Sequence, residues 1–404
     1  MKEQKSHSFF EFVPKIAQDP IMVSLKKFND STNENKLNLT IGMIKDECGL
    51  NFKELKSVKS AENLILSENL HKDYTPMSGT PEFLSAIQNL IFPFDKFDPI
   101  ESNILVMQTI SGGGALRSGS EFIKKMITNK IYLSNLTFSP YKSIFRHLEV
   151  ETYPYYNREK KELDFDALLS FLEKLEINSV INFQLSSHNP TATDPTQEEW
   201  QKIADVCSKK GLIPFFDIAY LGYANSSIEE DLFAIHLFKR KNVEMLIAYS
   251  SGKSFMNYSD DTGALLLTSN DRNSLAKIKS QLFIINRGLF SFSAIYGSRI
   301  ITKILNDPKL KELWLDELKE TWDSLVHKRN MIIDAFEKEE INNIDYLRKQ
   351  KGVFMFFDLS PKQVDYLADS HAIFVVPGGR INISSLPLDK VTYFAKALKR
   401  CLNN

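Results

Sequence analysis

A lysine and a carboxylate follow two apolar runs near the middle of this chain of 404 residues. Lys253 comes shortly after the run Met245–Ala248, and Asp217 and Tyr220 close the earlier run that begins at Phe215. A lysine amine can form an imine with an aldehyde cofactor. A carboxylate can keep a pyridine nitrogen protonated, so that the ring draws electrons from a neighbouring carbon. The pair therefore points to a pyridoxal phosphate site.

A glycine-rich segment, Ser111–Ala115, follows the apolar run Ile104–Met107 and opens a predicted helix through Ile127. Small residues there let backbone N–H groups approach an anion, and the helix dipole favours negative charge. A plain strand-to-helix turn explains the segment as well, and so does a site for a nucleotide phosphate. The segment lacks the GK[ST] of a P-loop and does not have the GxGxxG spacing.

The segment Ser187–Thr196 is a third candidate loop. Asn189 before Pro190 indicates a turn at the end of a strand, and the segment precedes a predicted helix that begins near Glu198. By itself the segment is equally consistent with a loop and helix cap of no special function. Together with Asp217 and Lys253, it is predicted to face one pocket.

Strands and helices alternate through the part of the chain that must position these residues. This alternation predicts an α/β fold, with a mostly parallel sheet covered by helices on both faces. Ligands of such sheets bind beyond the carboxyl ends of the strands, where the candidate residues cluster. The predicted strands are Ile104–Met107, Lys130–Leu133, Ser179–Phe183, Leu212–Phe216, Met245–Ala248 and Gly263–Leu267.

A long helix is predicted from about Pro308 to Lys338, because leucines recur there among many charged residues. We expect this helix to link the large domain to a smaller C-terminal one. Val353–Phe357 and Arg380–Ile383 are predicted strands of that second domain.

Composition argues against several classes of protein. The hydrophobic fraction is 43% and the net charge is −1, so neither a nucleic-acid partner nor an anionic membrane surface is indicated. No apolar run approaches the roughly 20 residues of a membrane span, and residues 1–13 do not resemble a secretory signal. Cys48, Cys207 and Cys401 lie far apart without metal-ligand spacing. We therefore expect reduced thiols, no metal site and a cytoplasmic protein.

The order and spacing of the chemical segments resemble the class I pyridoxal-phosphate aminotransferases, and above all the aspartate and aromatic-amino-acid aminotransferases. The resemblance covers nearly the whole chain. The segments that carry it are Tyr74–Gly79, Gln108–Gly112, Asn189–Thr191, Asp217–Tyr220, Ser250–Phe255, Ile304–Pro308 and Arg380–Asn382. It implies the fold of fold-type I enzymes, with an N-terminal arm at residues 1–13 and a large cofactor-binding domain at 51–324. A smaller α/β domain is then formed by residues 14–50 and 325–404.

The same resemblance implies a role for individual residues around the cofactor. Lys253 holds the cofactor as an internal imine and then shuttles a proton, while Asp217 pairs with the pyridine nitrogen. Tyr220 and Asn189 hydrogen-bond the ring hydroxyl, and Phe138 stacks on the ring where the family has a tryptophan. The further residues expected at the cofactor are Ser111, Gly112, Gly113, Ser250 and, from the partner subunit of a homodimer, Tyr74.

Two arginines are expected to select the substrate. By the resemblance, Arg380 grips the α-carboxylate, where a planar guanidinium fits two oxygens. Arg287 crosses the dimer interface to grip a side-chain carboxylate, and Gly42 lies beside the substrate. Arg287 favours aspartate and glutamate, but aromatic-type relatives keep it too. Met43, Ile44 and Phe292 are expected to make the entrance more apolar, so the choice of substrate stays open.

The phosphate cup departs from the family pattern. Asp261 stands where the family usually has an arginine, Gly252 where it has a serine, and Gly113 where it has a threonine or serine. Tyr141 replaces a histidine that supports the aspartate. Loss of a charge-assisted hydrogen bond costs roughly 1.5–3 kcal/mol, so we expect weaker retention of the cofactor, unless another cation fills the gap or Asp261 points away.

The resemblance implies transfer of an amino group from aspartate or an aromatic amino acid to 2-oxoglutarate, in two half-reactions. Amino acids and oxo acids are then the small-molecule partners. The depleted cup supports an alternative, a catalytically impaired relative that serves in binding or regulation. A nucleotide-binding protein built on the glycine-rich segment would leave Lys253, Asp217 and Arg380 unexplained.

Overall fold

The computed structural model describes residues 8–16, 20–46, 48–49, 51–94 and 103–403. Residues 1–7 of the predicted N-terminal arm lie outside these ranges. The helices within them are α1 (Pro20–Asp30), α2 (Lys56–Ser67), α3 (Pro81–Ile91), α4 (Ser111–Met126), α5 (Tyr141–Ile144), α6 (Phe165–Leu172), α7 (Gln197–Lys210), α8 (Ile228–Asp231), α9 (Phe233–Arg240), α10 (Arg272–Leu289), α11 (Tyr296–Asn306), α12 (Pro308–Lys338), α13 (Asp345–Lys349), α14 (Pro361–His371) and α15 (Val391–Leu402).

The strands of the described ranges form one large sheet and three small ones. The strands are β1 (Leu37–Asn38), β2 (Ile104–Ile110), β3 (Lys130–Ser134), β4 (Glu149–Tyr153), β5 (Tyr156–Asn157), β6 (Glu162–Leu163), β7 (Val180–Gln184), β8 (Ile213–Ile218), β9 (Leu246–Ser250), β10 (Thr262–Thr268), β11 (Phe354–Phe356), β12 (Ile373–Phe374) and β13 (Arg380–Asn382).

The large sheet has seven strands in the order β2-β10-β9-β8-β7-β3-β4. Neighbours from β9 to β4 pair in parallel, whereas β10 is antiparallel to both β2 and β9. The predicted mostly parallel sheet is therefore confirmed, and each predicted strand of the middle region is present within a few residues of its expected bounds. The edge strand β4 was not predicted.

Helices cover both faces of the sheet, as predicted. In β8, Phe215 belongs to one apolar cluster and the next residue, Phe216, to the other, because successive side chains of a strand point to opposite faces. Leu116 and Ile123 of α4 pack in the cluster with Phe215. Trp200 of α7 lies on the other face, with its ring 5.9 Å from that of Phe216. Apolar residues on both faces explain why these strands read as continuous hydrophobic runs.

The predicted long helix is α12, which spans Pro308–Lys338 as expected. Two small sheets contain the strands that follow α12. In one, β12 pairs in parallel with the N-terminal strand β1; in the other, β11 pairs with β13, so both predicted C-terminal strands are confirmed. The division of the chain into an arm and two domains stays a prediction.

The glycine-rich segment follows β2 and opens a helix, as predicted, and it forms the first turn of α4, which begins at Ser111. Glycine is a poor helix former, and packing explains its presence here. A Cβ at Gly112 would lie 2.7 Å from the Cβ of Ser250 at the end of β9. The absence of a side chain therefore lets the start of α4 approach the sheet edge.

In the part of the chain that the structure describes, no helix combines the length and the apolar character that a membrane crossing requires.

Candidate active site

A cavity of about 430 Å³ lies where β7, β8 and β9 end and α4 begins. Its wall contains every predicted site residue except Tyr74 and Arg287. The predicted residues in the wall are Gly42, Ser111, Gly112, Gly113, Phe138, Asn189, Asp217, Tyr220, Ser250, Lys253 and Arg380. The fold therefore brings residues from distant parts of the chain to one place, and their individual roles stay predictions.

Asp217 occupies the penultimate position of β8 and is buried. The Tyr141 hydroxyl donates a hydrogen bond to its Oδ2 at 2.5 Å, so Tyr141 lies beside the aspartate as expected. Burial raises the pKa of Asp217 to about 6, although the Tyr141 hydrogen bond and the charge of Lys253 lower it. A carboxylate in this environment gains from a cationic partner, such as a protonated ring nitrogen.

Lys253 lies in the turn that follows β9. The Tyr223 hydroxyl donates to the Lys253 carbonyl oxygen at 2.8 Å, and the Trp314 indole N–H donates to the next carbonyl, that of Ser254, also at 2.8 Å. The Lys253 Nζ is 5.7 Å from the centroid of the Tyr220 ring. Buried aromatic side chains thus fix the backbone of the turn and direct the amine into the cavity.

Arg380 begins β13 and is 3% exposed. Its Nη1 donates to Asn189 Oδ1 at 2.9 Å, its Nη2 donates to the Thr40 carbonyl, and its guanidinium lies 4.2 Å from the centroid of the Phe354 ring. Among the described residues no carboxylate is recorded as its partner, and its Nε has no hydrogen-bond partner. Burial lowers the pKa of Arg380 to about 10. A buried cation without a counter-ion is unfavourable, so this end of the cavity is suited to an anion.

The backbone of Asn189 is held by two hydrogen bonds to one side chain. Gln184, the last residue of β7, accepts a hydrogen bond from the Asn189 N–H at 2.8 Å and donates one to its carbonyl at 3.0 Å. The Asn189–Pro190 peptide bond is cis. Residues 189–191 form a turn, so the predicted turn after this strand is confirmed, and the two hydrogen bonds to Gln184 fix the asparagine that Arg380 contacts.

The anion seat, which we define as Ser250, Gly252 and the first turn of α4, contains Asp261. The Gly252 N–H donates to Asp261 Oδ1 at 2.8 Å, and the Ser250 hydroxyl lies 3.1 Å from both carboxylate oxygens. Burial raises the pKa of Asp261, while the charge of Lys253 and these hydrogen bonds lower it. Asp261 lines the cavity and does not point away from it, so one of the two conditions under which cofactor retention would not be weakened is not met.

Tyr74 and Arg287 lie outside the cavity, on the surface. Tyr74 is 82% exposed, and its ring centroid is 4.6 Å from that of Phe292. Arg287, at the end of α10, is exposed and its Nη1 lies 3.8 Å from the sulfur of Met77. Both residues were predicted to act across a dimer interface, and their exposure agrees with such a role without testing it.

Of the three apolar residues expected at the entrance, only Met43 lines the cavity. Ile44 is 1% exposed and belongs to the main core, because it turns away from the side that Met43 faces. Phe292 packs on Tyr74 at the surface instead. The expectation is therefore wrong for Ile44, whereas for Phe292, which packs on a residue expected to act in the partner's cavity, it stays a prediction.

Sequence reasoning missed several residues of the wall. Gln184 and Tyr258 are the polar ones, and Tyr258 also accepts a hydrogen bond from the Ile44 N–H at 2.8 Å. Gln184 follows a predicted strand, so its position at the sheet edge was a usable signal. Tyr258 lies in an irregular segment after Lys253, and no pattern marked it.

Comparison with known proteins agrees with this geometry. The family described as Aminotransferase class I and II matches residues 34–398. A mitochondrial aspartate aminotransferase of Xenopus tropicalis is 32% identical over 400 residues, which cover 98% of this chain and 93% of that protein. A cytoplasmic aspartate aminotransferase of Dictyostelium discoideum is 33% identical, with coverage of 97% and 90%.

A solved structure gives the same result for the fold. The aromatic-amino-acid aminotransferase of Burkholderia pseudomallei, crystallised covalently bound to pyridoxal phosphate, superposes with a TM-score of 0.93 at 29% identity. The superposition covers 98% of this chain and 100% of the other.

Proposed function

This chain belongs to the class I and II aminotransferases, and from that premise we propose that it transfers the amino group of aspartate or an aromatic amino acid to 2-oxoglutarate. The protein is an aminotransferase, and its cofactor is pyridoxal 5′-phosphate. The observation that carries the proposal is the grouping of Lys253, Asp217 and Arg380 around one cavity. An amine, a buried carboxylate and a buried guanidinium are the three groups that transamination of an α-amino acid requires.

The residues present fit the pyridine half of the cofactor. Tyr141 occupies one oxygen of Asp217, so the carboxylate would hold the ring nitrogen with the other, while Phe138 would cover the ring and Lys253 would bind the aldehyde carbon. When bound, the cofactor supplies an electron-withdrawing ring that acidifies the substrate α-carbon. The phosphate half meets Asp261 in the anion seat.

Each of these side chains then has a defined task. Arg380 binds the substrate α-carboxylate through its guanidinium and so orients the α-carbon. The Lys253 Nζ would take the proton from that carbon and hold it for return in the same half-reaction. Asp217 would keep the ring nitrogen protonated, and the same groups would act in the reverse order on the oxo acid.

A substrate with a side-chain carboxylate, such as aspartate or 2-oxoglutarate, needs a further cation in the site. In the described part of the chain, the cations in the cavity wall are Lys253 and Arg380. Arg287 is exposed on the surface that carries Tyr74, and we assign both residues to the cavity of the partner in a homodimer. The proposal rests on the exposure of these side chains and on the resemblance to the family.

Mixed dimers test this assignment. Lys253→Ala and Arg287→Ala chains are each expected to be inactive toward aspartate. Unfolding and refolding them together should restore about a quarter of the wild-type sites, because one site in each mixed dimer is intact. No restoration in a mixture shown to form mixed dimers would place Arg287 outside the partner's site.

The donor is identified by following the absorbance of the cofactor-loaded protein. Addition of L-aspartate or L-phenylalanine should convert the spectrum, and 2-oxoglutarate should restore it. The ratio of the two rates ranks the donors. A protein that holds the cofactor on Lys253 but responds to neither amino acid would contradict the proposed activity.

The occupied anion seat favours one second candidate, a relative that binds amino acids for regulation without turning them over. Asp261 supports it because a carboxylate in this position opposes a phosphate. Formation of glutamate from aspartate and 2-oxoglutarate, with added cofactor, separates the two candidates.

We also assign the protein to the cytoplasm. A relative named as cytoplasmic supports this assignment, while another is named as mitochondrial. Fractionation of cells followed by immunoblotting tests it.

A further inference from the structure

The Asp261 carboxylate uses the hydrogen-bond donors that an external anion would need. The Gly252 N–H donates to Oδ1 at 2.8 Å, and the Ser250 hydroxyl is 3.1 Å from Oδ1 and Oδ2. Both donors line or adjoin the cavity at the start of α4. The N-terminus of this helix favours one negative charge nearby, and the carboxylate already supplies that charge.

The shape of the seat matches the carboxylate. A Cβ at Gly252 would lie 2.7 Å from Asp261 Cγ and 2.9 Å from Oδ1. Because real Cβ contacts are not that short, any other residue at 252 would push the carboxylate out of the seat. Gly252 and Asp261 therefore form a matched pair.

The charge around the seat does not compensate for a second anion. Of the cations in the described wall, Arg380 is bound to Asn189 and to the Thr40 carbonyl, and Lys253 is the amine that binds the aldehyde in the proposed function. A phosphate placed beside Asp261 would meet a like charge at short range, in a partly desolvated environment.

We infer that Asp261 is the resident anion of the seat, so that the cavity binds the unphosphorylated vitamer pyridoxal nearly as tightly as pyridoxal phosphate. This inference rests on the proposed function, because it assumes a pyridoxal-type ligand on Lys253. The neutral 5′-hydroxymethyl arm of pyridoxal can donate a hydrogen bond to the carboxylate. A phosphate arm must instead displace Asp261 from Gly252 and Ser250 or bind against its charge.

The test compares the two vitamers on the full chain after the cofactor has been removed. Titration with pyridoxal and with pyridoxal phosphate, followed by absorbance, gives a dissociation constant for each. We expect the two constants to differ by less than about tenfold in the wild type. A preference for pyridoxal phosphate of more than about a hundredfold, which corresponds to a net gain of about 3 kcal/mol from the phosphate, would overturn the inference.

Two variants identify the cause. Asp261→Asn removes the charge and should increase the preference for pyridoxal phosphate by about tenfold or more, the value of one charge-assisted hydrogen bond. Asp260→Asn removes a neighbouring carboxylate that does not line the cavity and should leave the preference unchanged. Equal changes in both variants would overturn the role of Asp261. The wild-type ratio stands by itself if Asp261→Asn does not fold.

Borohydride treatment separates this inference from the proposed function. Labelling of Lys253 by either vitamer supports the proposed function, and the ratio of the constants then decides the inference. Absence of labelling by both vitamers would overturn the two together.

Discussion

At the Arg380 end of the cavity a buried cation has no carboxylate partner among the described residues, whereas at the Asp261 end a carboxylate is already held by an amide and a hydroxyl. The first end is poised for an anionic substrate group, and the second is satisfied by the chain itself. Groups that would touch reacting atoms thus match the family resemblance, while a group that would only anchor the cofactor does not. Anchoring and chemistry are separable within one cavity.

The largest expected effect is on the rate of the half-reaction and comes from Lys253, which would contact the reacting atoms. Lys253→Ala should lower the rate of the half-reaction at least about a thousandfold, because both covalent attachment and proton transfer are lost. Stopped-flow absorbance measures the rate. Lys319→Ala, on the exposed face of α12, is the matched control. A Lys253→Ala rate within a few-fold of the wild type would show that Lys253 does not take part in the reaction.

The next effect is on the pH dependence of the free energy of unfolding, and it follows from the raised pKa of Asp217. In the cofactor-free fold this pKa is about 6, raised from 3.8 by burial, so the protonated form is favoured and its stabilisation is lost as the pH rises through 6. Between about pH 4 and pH 7, Asp217→Asn should therefore gain about 2 kcal/mol relative to the wild type. Urea unfolding at both pH values measures the difference.

The exposed Asp166 provides the control for Asp217, since Asp166→Asn also removes one carboxylate. The same Asp217→Asn variant should lose most of its activity. An Asp217→Asn chain whose stability follows the wild type at both pH values would show that burial imposes no penalty on this carboxylate.

Arg380 tests the cation end. Arg380→Lys should lower kcat/KM about ten- to a hundredfold for both amino acid and oxo acid, because a single ammonium cannot replace the planar guanidinium. Arg287→Ala should instead affect only substrates with a second carboxylate. Steady-state kinetics with aspartate and phenylalanine distinguish the two arginines. An equal loss on both substrates for Arg287→Ala would contradict its assignment to the side chain.

The smallest expected effect is on stability and concerns the Asp261 end of the cavity. Gly252→Ala should destabilise the fold by roughly 1–3 kcal/mol, because its Cβ overlaps Asp261. In an Asp261→Ala background the same change should be milder, with a coupling of about 1 kcal/mol in a double-mutant cycle. Gly288→Ala is the control, because a Cβ there meets nothing within 4 Å. Additive changes at 252 and 261 would show that the two residues are not a matched pair.

The sequence predicts the chemical end of the cavity well. Lys253 and Asp217 follow buried strands, and parallel strands bring such positions to one sheet edge. Arg380 carries no local signal, so its position was predicted through the family resemblance. The long helix Pro308–Lys338 was predictable from its leucine spacing and its Pro308 start.

Other features depend on contacts between distant segments and escaped prediction. The edge strand Glu149–Tyr153 is mostly exposed, so it has no apolar run. Position 112 requires glycine because the Ser250 side chain packs against it, a contact that local propensity does not reveal. The departure at Asp261 was visible in the sequence, but its contacts with Gly252 and Ser250 were not.

A covalent bond between the Lys253 amine and pyridoxal phosphate is the central requirement of the proposed function. Reduction of the cofactor-loaded protein with borohydride, proteolysis and mass spectrometry measure this bond directly. We expect a pyridoxyl label on the peptide that contains Lys253. An unlabelled Lys253, or a label on another lysine alone, would contradict it.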